Sequence, residues 1–291
     1  MLAQCLLPMA CQDPPLEVVD REPAGGTDVT FFVAADTHFG HEGIAALNKR
    51  QIETMNRLPG TGYPARIGGK VARPLGVLVA GDLTEYGRGT HWDEFVEHYG
   101  LTGRDGLLKY PVYEGTGNHD RDILLYRPAL SGVKKRHGDL TYSWDWGDLH
   151  LVCLDIYPTA ANLRWLKRDL ARVGRKLPVV VYFHYPLLGP YSDPWSDKEK
   201  EAFRETIDGF NVIAIFHGHY HGSGHYTWAG YDVYNVGSPR HGDHSFAAVR
   251  VTDTRMSVAL WDWDRGRWRW GHVKRFRGAS VQPAASGPGS R

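Results

Sequence analysis

Short apolar runs and amphipathic segments alternate along most of the chain. The apolar runs are largely β-branched and predict buried strands over residues 29–35, 76–80, 110–114, 149–155, 178–183 and 211–216. Apolar residues at helical spacing predict helices over residues 42–57, 90–99, 160–173 and 196–207. Towards the C-terminus the pattern predicts strands alone, over residues 231–236, 245–251, 256–263 and 268–276. We therefore expect an α/β half and a β-rich half, arranged as two facing sheets with helices outside them.

One part of the strand-rich half, residues 261–270, reads WDWDRGRWRW. Interleaved aromatic and basic residues are typical of surfaces that bind single-stranded nucleic acid. Alternation on both sides of Asp264-Arg265-Gly266 predicts instead a β-hairpin with its tryptophans on one face. We favour the hairpin on the strength of that alternation.

Composition narrows the classes of function. The chain has 291 residues, of which 42% are hydrophobic and 23% charged, as expected of a globular protein with one large domain. Lys and Arg total 34 against 33 for Asp and Glu, so a net charge of +1 gives no general attraction to nucleic acid. The three cysteines, Cys5, Cys11 and Cys153, support neither a disulfide framework nor a cysteine-based zinc site. Histidine and carboxylate must therefore hold any metal.

The two ends of the chain are predicted to lie outside the main domain, which we place at residues 28–278. Residues 1–27 form a leader or tether in which Ala10-Cys11 resembles the end of a lipoprotein signal. No Lys or Arg precedes Arg21, however, and the apolar run is too short for a complete signal or a membrane span. Export or envelope attachment through Cys11 and a cytoplasmic location both stay open. Residues 279–291 are predicted to be a disordered tail.

Polar residues follow five of the predicted strands directly. They are Asp36-Thr37-His38, Gly81-Asp82, Gly117-Asn118-His119-Asp120, His184 and Gly218-His219-Tyr220-His221. Taken singly, each group has a local explanation as a helix cap, a turn or a buried histidine. Side chains at the carboxyl ends of strands in an open sheet converge on one crevice, however. The five groups together predict a single site rich in oxygen and nitrogen ligands.

These motifs, D-x-H, G-D, G-N-H-D, a lone His and G-H-x-H, resemble in their order those of the calcineurin-like metallophosphoesterase family. The resemblance spans residues 29–239 and implies a four-layer α/β/β/α sandwich that hydrolyses phosphate esters with two metal ions. It implies one metal bound by Asp36, His38, Asp82 and His221. It implies a second metal bound by Asp82, Asn118, His184 and His219. His119 would then face the ester's leaving group, and Asp120 would orient His119.

The chemistry behind such a centre is general. Two cations about 3.5–4 Å apart can bind phosphate oxygens and lower the pKa of a water so that hydroxide attacks phosphorus. Mixed Asp, Asn and His ligands suit Mn, Fe or Zn. Purple acid phosphatases, a branch of the family, carry a tyrosine three residues after the bridging aspartate. Glu85 stands there in this chain, so we expect no ferric tyrosinate colour.

Neighbouring residues are assigned supporting roles. His217 is predicted to hydrogen-bond a carboxylate or the backbone beside the ligands rather than to bind metal. His225 is predicted to be structural or to line a pocket.

Substrate contacts are predicted for two arginines and two tyrosines. Arg121 and Arg240 are expected to bind phosphate oxygens. Tyr185 and Tyr220 are expected to contact the organic part of the substrate.

The predicted function is hydrolysis of a small-molecule phosphomonoester or phosphodiester. A nuclease with the same two metals and a non-catalytic interaction module on the same fold are the alternatives. The sequence leaves the physiological ester, the identity of the metals and the oligomeric state open.

Overall fold

The structure of the protein is a computed structural model that describes residues 16–19, 21–121 and 127–276. The strands in these ranges are β1 Asp28–Ala34, β2 Val77–Ala80, β3 Val112–Gly115, β4 Thr141–Trp146, β5 Leu149–Leu154, β6 Val179–Tyr182, β7 Val212–His217, β8 Ser223–Trp228, β9 Tyr231–Val236, β10 Ser245–Thr252, β11 Arg255–Asp262 and β12 Arg267–Arg275. The helices are α1 Ile44–Arg57, α2 Gly89–Tyr99, α3 Pro128–His137, α4 Ala160–Val173 and α5 Asp197–Ile207. A single 3₁₀ turn covers His119–Arg121.

The strands form two six-stranded mixed sheets. The order in the first sheet is β12-β11-β10-β1-β2-β3, with β1, β2 and β3 parallel. The order in the second sheet is β4-β5-β6-β7-β9-β8, with β5, β6, β7 and β9 parallel. The first sheet packs against α1 and α2 and the second against α4 and α5. The structure confirms the predicted four-layer α/β/β/α sandwich.

Strand β1 shows why the apolar runs in this sequence are continuous. Phe31 and Val33 face the second sheet, whereas Phe32 and Ala34 face the helices. Successive side chains of a strand point to opposite faces, so a strand covered on both faces needs apolar residues throughout.

The predicted helices and strands are present, with small differences at their ends. Helix α1 begins at Ile44 rather than residue 42, because Gly43 has a left-handed backbone with φ 75°. Helices α4 and α5 begin at capping boxes, in which Thr159 and Ser196 accept hydrogen bonds from the backbone of the third helical residue.

Three elements were not predicted: α3, β4 and β8. Helix α3 buries only one short face and ends in four basic residues, so its apolar period is weak. Strand β8, with sequence SGHYTW, lies at a sheet edge and has no fully buried residue.

The predicted hairpin is formed by β11 and β12, but its tryptophans do not share one face. Trp261 and Trp268 pack towards the helices, whereas Trp270 packs between the sheets. Leu260 pairs with Trp270 and Trp261 pairs with Trp268, so Arg269 is an extra residue in β12. Such a bulge turns the following side chain to the opposite face.

The described part of the predicted leader lies against the domain. The backbone N–H of Val19 donates to the carbonyl of Ala171, and those of Gly25 and Thr27 donate to Asp148 and Asp253. The lipoprotein-like Cys11 and the predicted tail, residues 279–291, lie outside the described residues. Among those that are described, no helix combines the length and the apolar character needed to cross a membrane.

Candidate metal centre

The polar segments that follow β1, β2, β3, β6 and β7 meet at the carboxyl ends of these strands. Eight of the described non-glycine residues have positive φ, and five of these are predicted metal ligands: Asp36, His38, Asp82, His219 and His221. This backbone conformation is unfavourable for residues with a side chain and tends to occur at functional sites. The strain is thus concentrated where the sequence predicts metal binding.

Three glycines of the motifs allow the segments to approach one another. A Cβ atom on Gly117 would lie 2.1 Å from Oδ1 of Asp82, and one on Gly218 would lie 2.6 Å from Oδ2 of Asp36. A Cβ atom on Gly81 would lie 2.6 Å from Nδ1 of His184. The glycines of G-D, G-N and G-H are therefore required by the packing of carboxylates and imidazole against the backbone.

The first predicted ligand group is assembled and buried. Its four residues, Asp36, His38, Asp82 and His221, each offer an atom within 4.8 Å of the others. Nε2 of His38 lies 3.0 Å from Nε2 of His221, and Nε2 of His221 lies 3.5 Å from Oδ1 of Asp36. Oδ2 of Asp82 lies 3.6 Å from Nε2 of His38. Convergent oxygen and nitrogen atoms at these distances fit a cation that prefers mixed ligands.

The second predicted group shares Asp82 with the first. Nε2 of His184 lies 3.2 Å from Oδ2 of Asp82 and 3.1 Å from Oδ1 of Asn118. His219 completes a group with Asp82 and His184 whose ligand atoms lie within 4.8 Å of one another. The geometry thus gives two adjoining groups with one common carboxylate.

Contacts on the outer side of two imidazoles, a hydrogen bond for His184 and an ion-pair contact for His38, orient their inner nitrogens. Nδ1 of His184 lies 2.9 Å from the Ala80 carbonyl, which can only accept, so Nδ1 donates and Nε2 faces the ligand group. Nδ1 of His38 lies 2.9 Å from Oε2 of the buried Glu85. Contacts of this kind fix the tautomer and ring orientation of metal-binding histidines.

The charges in the cluster compensate one another. Burial alone would raise the pKa values of Asp82 and Asp36, but the nearby imidazoles of His184 and His221 hold them below the ordinary range. Burial opposes the charge on His184 as well, yet Asp82 raises the pKa of this imidazole to about 9. A cation bound between them would take over this role from the proton.

His119 is held by Glu85 rather than by Asp120. Its backbone N–H donates to Oδ1 of Asp82 at 2.9 Å, and its Nδ1 donates to the carbonyl of Glu85 at 2.8 Å. The predicted contact with the Asp120 carboxylate is therefore replaced by a contact with a backbone oxygen. Nε2 of His119 is left facing away from that bond.

The oxygens of Asp120 are occupied elsewhere. They accept hydrogen bonds from the N–H groups of Leu83, Thr84 and Gly117 and from the Thr84 hydroxyl. Asp120 therefore joins the loop after β2 to the loop after β3. Burial and the nearby Asp82 raise the pKa of its carboxyl to about 6 despite these donors.

Both predicted phosphate-binding arginines lie near the centre and contact carboxylates. Arg121 pairs with Asp155, and its Nη2 lies 3.2 Å from the Thr116 hydroxyl. Nη2 of Arg240 lies 3.1 Å from Oε1 of Glu85. Their binding to phosphate stays a prediction.

The predicted residues Tyr185, Tyr220 and His217 lie on the two segments that carry His184 and His219. The ring of Tyr185 lies 4.8 Å from that of His219. Tyr220, which follows His219 in the sequence, is exposed. Nδ1 of His217 donates to the Gly218 carbonyl at 2.9 Å, and its Nε2 lies 3.0 Å from the Tyr226 hydroxyl. Both nitrogens of His217 are therefore engaged away from the ligand groups.

His225 lies outside the centre. Its Nε2 is 2.7 Å from Asp232, and its ring stacks on that of His272 with 4.1 Å between centroids. Together with Asp232 and His272 it forms a separate group whose possible ligand atoms lie within 4.8 Å of one another, so its structural or pocket-lining role stays a prediction.

Two residues near the ligands had no role in the sequence prediction. Glu85 contacts His38, His119 and Arg240, although its position three residues after Asp82 drew attention only to a missing tyrosine. Nδ1 of His241 lies 3.1 Å from Nδ1 of His221, which it reaches from the loop after β9. Adjacency to Arg240 in the sequence was the one signal that could have indicated His241.

Comparison with known proteins identifies the class. The sequence pattern of the calcineurin-like phosphoesterases matches residues 29–223, more than half of the chain, so the protein belongs to this family. This confirms the resemblance seen in the motifs. The family is metal-dependent, and the buried cluster of His and Asp side chains is a candidate metal site.

Several solved structures share the fold. GAP50, the anchor in the inner membrane complex of Plasmodium, is 12% identical with a TM-score of 0.64 over 86% of this chain and 90% of that chain. Purple acid phosphatase PPD1 from yellow lupin seeds is 14% identical with a TM-score of 0.59, over 87% of this chain and 55% of that chain. A dimetal phosphatase from Danio rerio is 15% identical with a TM-score of 0.55, over 84% of this chain and 98% of that chain. No curated protein sequence matches the chain.

Proposed function

We propose that the protein hydrolyses a small-molecule phosphate ester, a monoester or diester, with two metal ions of the Mn, Fe or Zn type. The observation that carries this proposal is the pair of ligand groups joined at Asp82. Membership of the calcineurin-like phosphoesterases supports it, as does the fold shared with a dimetal phosphatase. When bound, such cations offset the charge of an anionic ester and activate water for attack on phosphorus.

The residues of the chain divide the remaining work. Asp82 contributes to both ligand groups and so sets their separation. Because Nδ1 of His119 donates to the Glu85 carbonyl, Nε2 can donate only when the ring carries a second proton. In the reaction this proton passes from Nε2 to the leaving oxygen, and the neutral ring keeps its bond to Glu85. Donation by a positioned side chain contributes about 10²–10⁴-fold to a rate.

The substitution His119→Asn tests the proposal together with a panel of esters. We expect the variant to keep the metal content of the native protein, because His119 lies in neither ligand group that shares Asp82. Its kcat should fall about 10²–10⁴-fold for alkyl phosphates, whose leaving groups need a proton. The fall should be much smaller for 4-nitrophenyl phosphate. Metal analysis and steady-state kinetics on both esters give the result.

The matched control is His98→Asn, which removes an imidazole on α2 that hydrogen-bonds to the Glu94 carbonyl outside the centre. Its metal content and kcat should equal those of the native protein. Loss of metal from His119→Asn, or an equal loss for both esters, would refute the acid role. A native protein that binds two metals and hydrolyses no mono- or diester, including single-stranded DNA, would refute the hydrolase itself. Preference for the DNA would favour the nuclease alternative.

A further inference from the structure

An apolar cavity of about 310 Å³ lies beside the metal centre. One wall is the loop after β6, with Pro186, Leu188 and Pro190. The other wall comprises Tyr220 and the first part of β8. A volume of this size falls in the lower range of small-molecule binding sites.

The cavity and the ligand groups are built from the same segments. His217 and Tyr220 line the cavity, and the predicted ligand His219 lies between them in the sequence. The ring of Tyr191 lies 5.8 Å from that of His219 and 6.1 Å from that of Tyr220. A continuous surface of rings therefore leads from the metal centre to the mouth of the cavity.

Apolar side chains are unusually exposed along this surface. Leu188, Tyr191 and Tyr220 are 49%, 61% and 45% exposed. An exposed apolar patch beside a concave site commonly marks a binding surface. The three side chains therefore extend the cavity towards the metal centre.

The described residues that line the cavity include no Asp, Glu, Lys or Arg. Both ring nitrogens of His217 are engaged within the protein, Nδ1 with the Gly218 carbonyl and Nε2 with the Tyr226 hydroxyl. Asn235 also borders the cavity and is only 4% exposed, and neither end of its amide has a hydrogen-bond partner within the described ranges. A buried amide without a partner is unusual, and a ligand group could satisfy it.

We propose that this cavity binds the organic group of the phosphate ester, and that this group is uncharged, largely apolar and about the size of one or two rings. The inference rests on the proposed function, because the phosphate is taken to occupy the adjoining metal centre. Tyr220 and Tyr226 would contact its faces, and Asn235 would bind a hydrogen-bonding edge. The absence of charged lining residues excludes a second phosphate or a carboxylate from the same position.

Gly224 offers a way to fill the cavity without disturbing the ligands. It lines the cavity on β8, and a Cβ atom added to it would meet nothing within 4 Å. Gly224→Leu should raise KM for 2-naphthyl phosphate at least tenfold and leave kcat and inhibition by inorganic phosphate unchanged. The KM for phenyl phosphate, a smaller ester with a similar leaving group, should rise less. Gly62→Leu is the control, since an added Cβ there also meets nothing within 4 Å and Gly62 lies outside the cavity.

Direct binding separates this inference from the proposed function. The intrinsic fluorescence of the native protein should report binding of 2-naphthol, and Gly224→Leu should abolish it. 2-Quinolinone, whose amide edge can pair with Asn235, should bind about tenfold more tightly than 2-naphthol. Naphthol binding without hydrolysis of any ester would refute the proposed function and leave a ring-binding cavity. Ester hydrolysis with the same KM in native protein and Gly224→Leu would overturn the cavity inference alone.

Discussion

The metal centre and the cluster around His150 bury the same two kinds of side chain in one domain. In the second cluster, Nδ1 of His150 lies 2.6 Å from Asp145 and Nε2 lies 2.8 Å from Asp169. Asp169 also accepts from Ser143 at 3.0 Å and from Arg172 at 2.6 Å. Both ring nitrogens of His150 and the carboxylates of Asp145 and Asp169 therefore have partners within the protein. Such a network stabilises the fold without a ligand.

The metal centre lacks this internal balance. His38 and His221 direct their Nε2 atoms at each other across 3.0 Å, so one nitrogen must carry the proton that the other accepts. Five of its seven predicted ligands also have left-handed backbones, whereas His150 and Asp169 lie in regular β5 and α4. Residue type therefore does not distinguish the two clusters. The convergence of ligand atoms and the strained backbone distinguish the metal centre from the His150 cluster.

The two clusters should differ most in metal content and ester hydrolysis after one aspartate is replaced in each. Asp82→Asn removes the carboxylate common to both ligand groups, so we expect loss of metal and of ester hydrolysis to background. Asp169→Asn removes a carboxylate from the His150 cluster and should keep the metal content and kcat of the native protein. Elemental analysis and kinetics on the two purified variants make the comparison. Full metal content in Asp82→Asn would contradict the bridging role.

A smaller effect is expected at Glu85, which is itself in neither of the ligand groups that include Asp82. Its carboxylate lies 2.9 Å from Nδ1 of His38 and 3.1 Å from Nη2 of Arg240. Glu85→Gln should weaken metal binding about 10–100-fold, as is typical for partners of metal-binding histidines. Activity should return at high metal concentration, because the ligands themselves are intact.

Calorimetric titration with Mn²⁺ or Zn²⁺ measures that change. Glu97→Gln, on the exposed side of α2, is the matched control and should bind metal with native affinity. Equal affinities for the two variants would mean that Glu85 does not hold His38 in place.

The sequence predicted the position of the ligands because position follows from local pattern. Continuous apolar runs identify strands buried on both faces, and polar residues directly after them must lie at the strand ends. Helix α3 and strand β8 gave no comparable signal, since each buries few side chains. The bulge at Arg269 depends on pairing with β11 and turned Trp270 away from the predicted face.

Contacts between residues far apart in the sequence were harder to predict than the positions of the ligands. Glu85 and His119 are separated by 34 residues, and no spacing rule predicts that the carbonyl of one accepts from the imidazole of the other. The adjacent Asp120 was the plausible partner in the sequence, but its oxygens meet the loop after β2. The orientation of a ligand's neighbours thus requires the folded structure.

The smallest predicted effect is a change in the free energy of unfolding, and it is confined to substitutions in the His150 cluster. Burial tends to raise the pKa of Asp169, but hydrogen bonds and the charge of His150, with Arg172 and Ser143, hold it below the ordinary value. Asp169→Asn should therefore lower the free energy of unfolding by about 1–3 kcal/mol at pH 7, the range for hydrogen bonds to a buried charge. Asp145→Asn, which changes the exposed partner of the same histidine, should cost less than about 1 kcal/mol.

The pH dependence follows from the sign of that shift. A carboxyl whose pKa is lower in the folded than in the unfolded protein contributes stability above its unfolded pKa, near 3.9, and loses it as the pH falls through the folded value. The difference between native protein and Asp169→Asn should therefore be present above about pH 5 and shrink below about pH 4. Urea unfolding at a series of pH values measures it. A difference that persists unchanged at pH 3 would show that Asp169 acts through its shape and neutral hydrogen bonds, and the His150 cluster would then owe nothing to its charge.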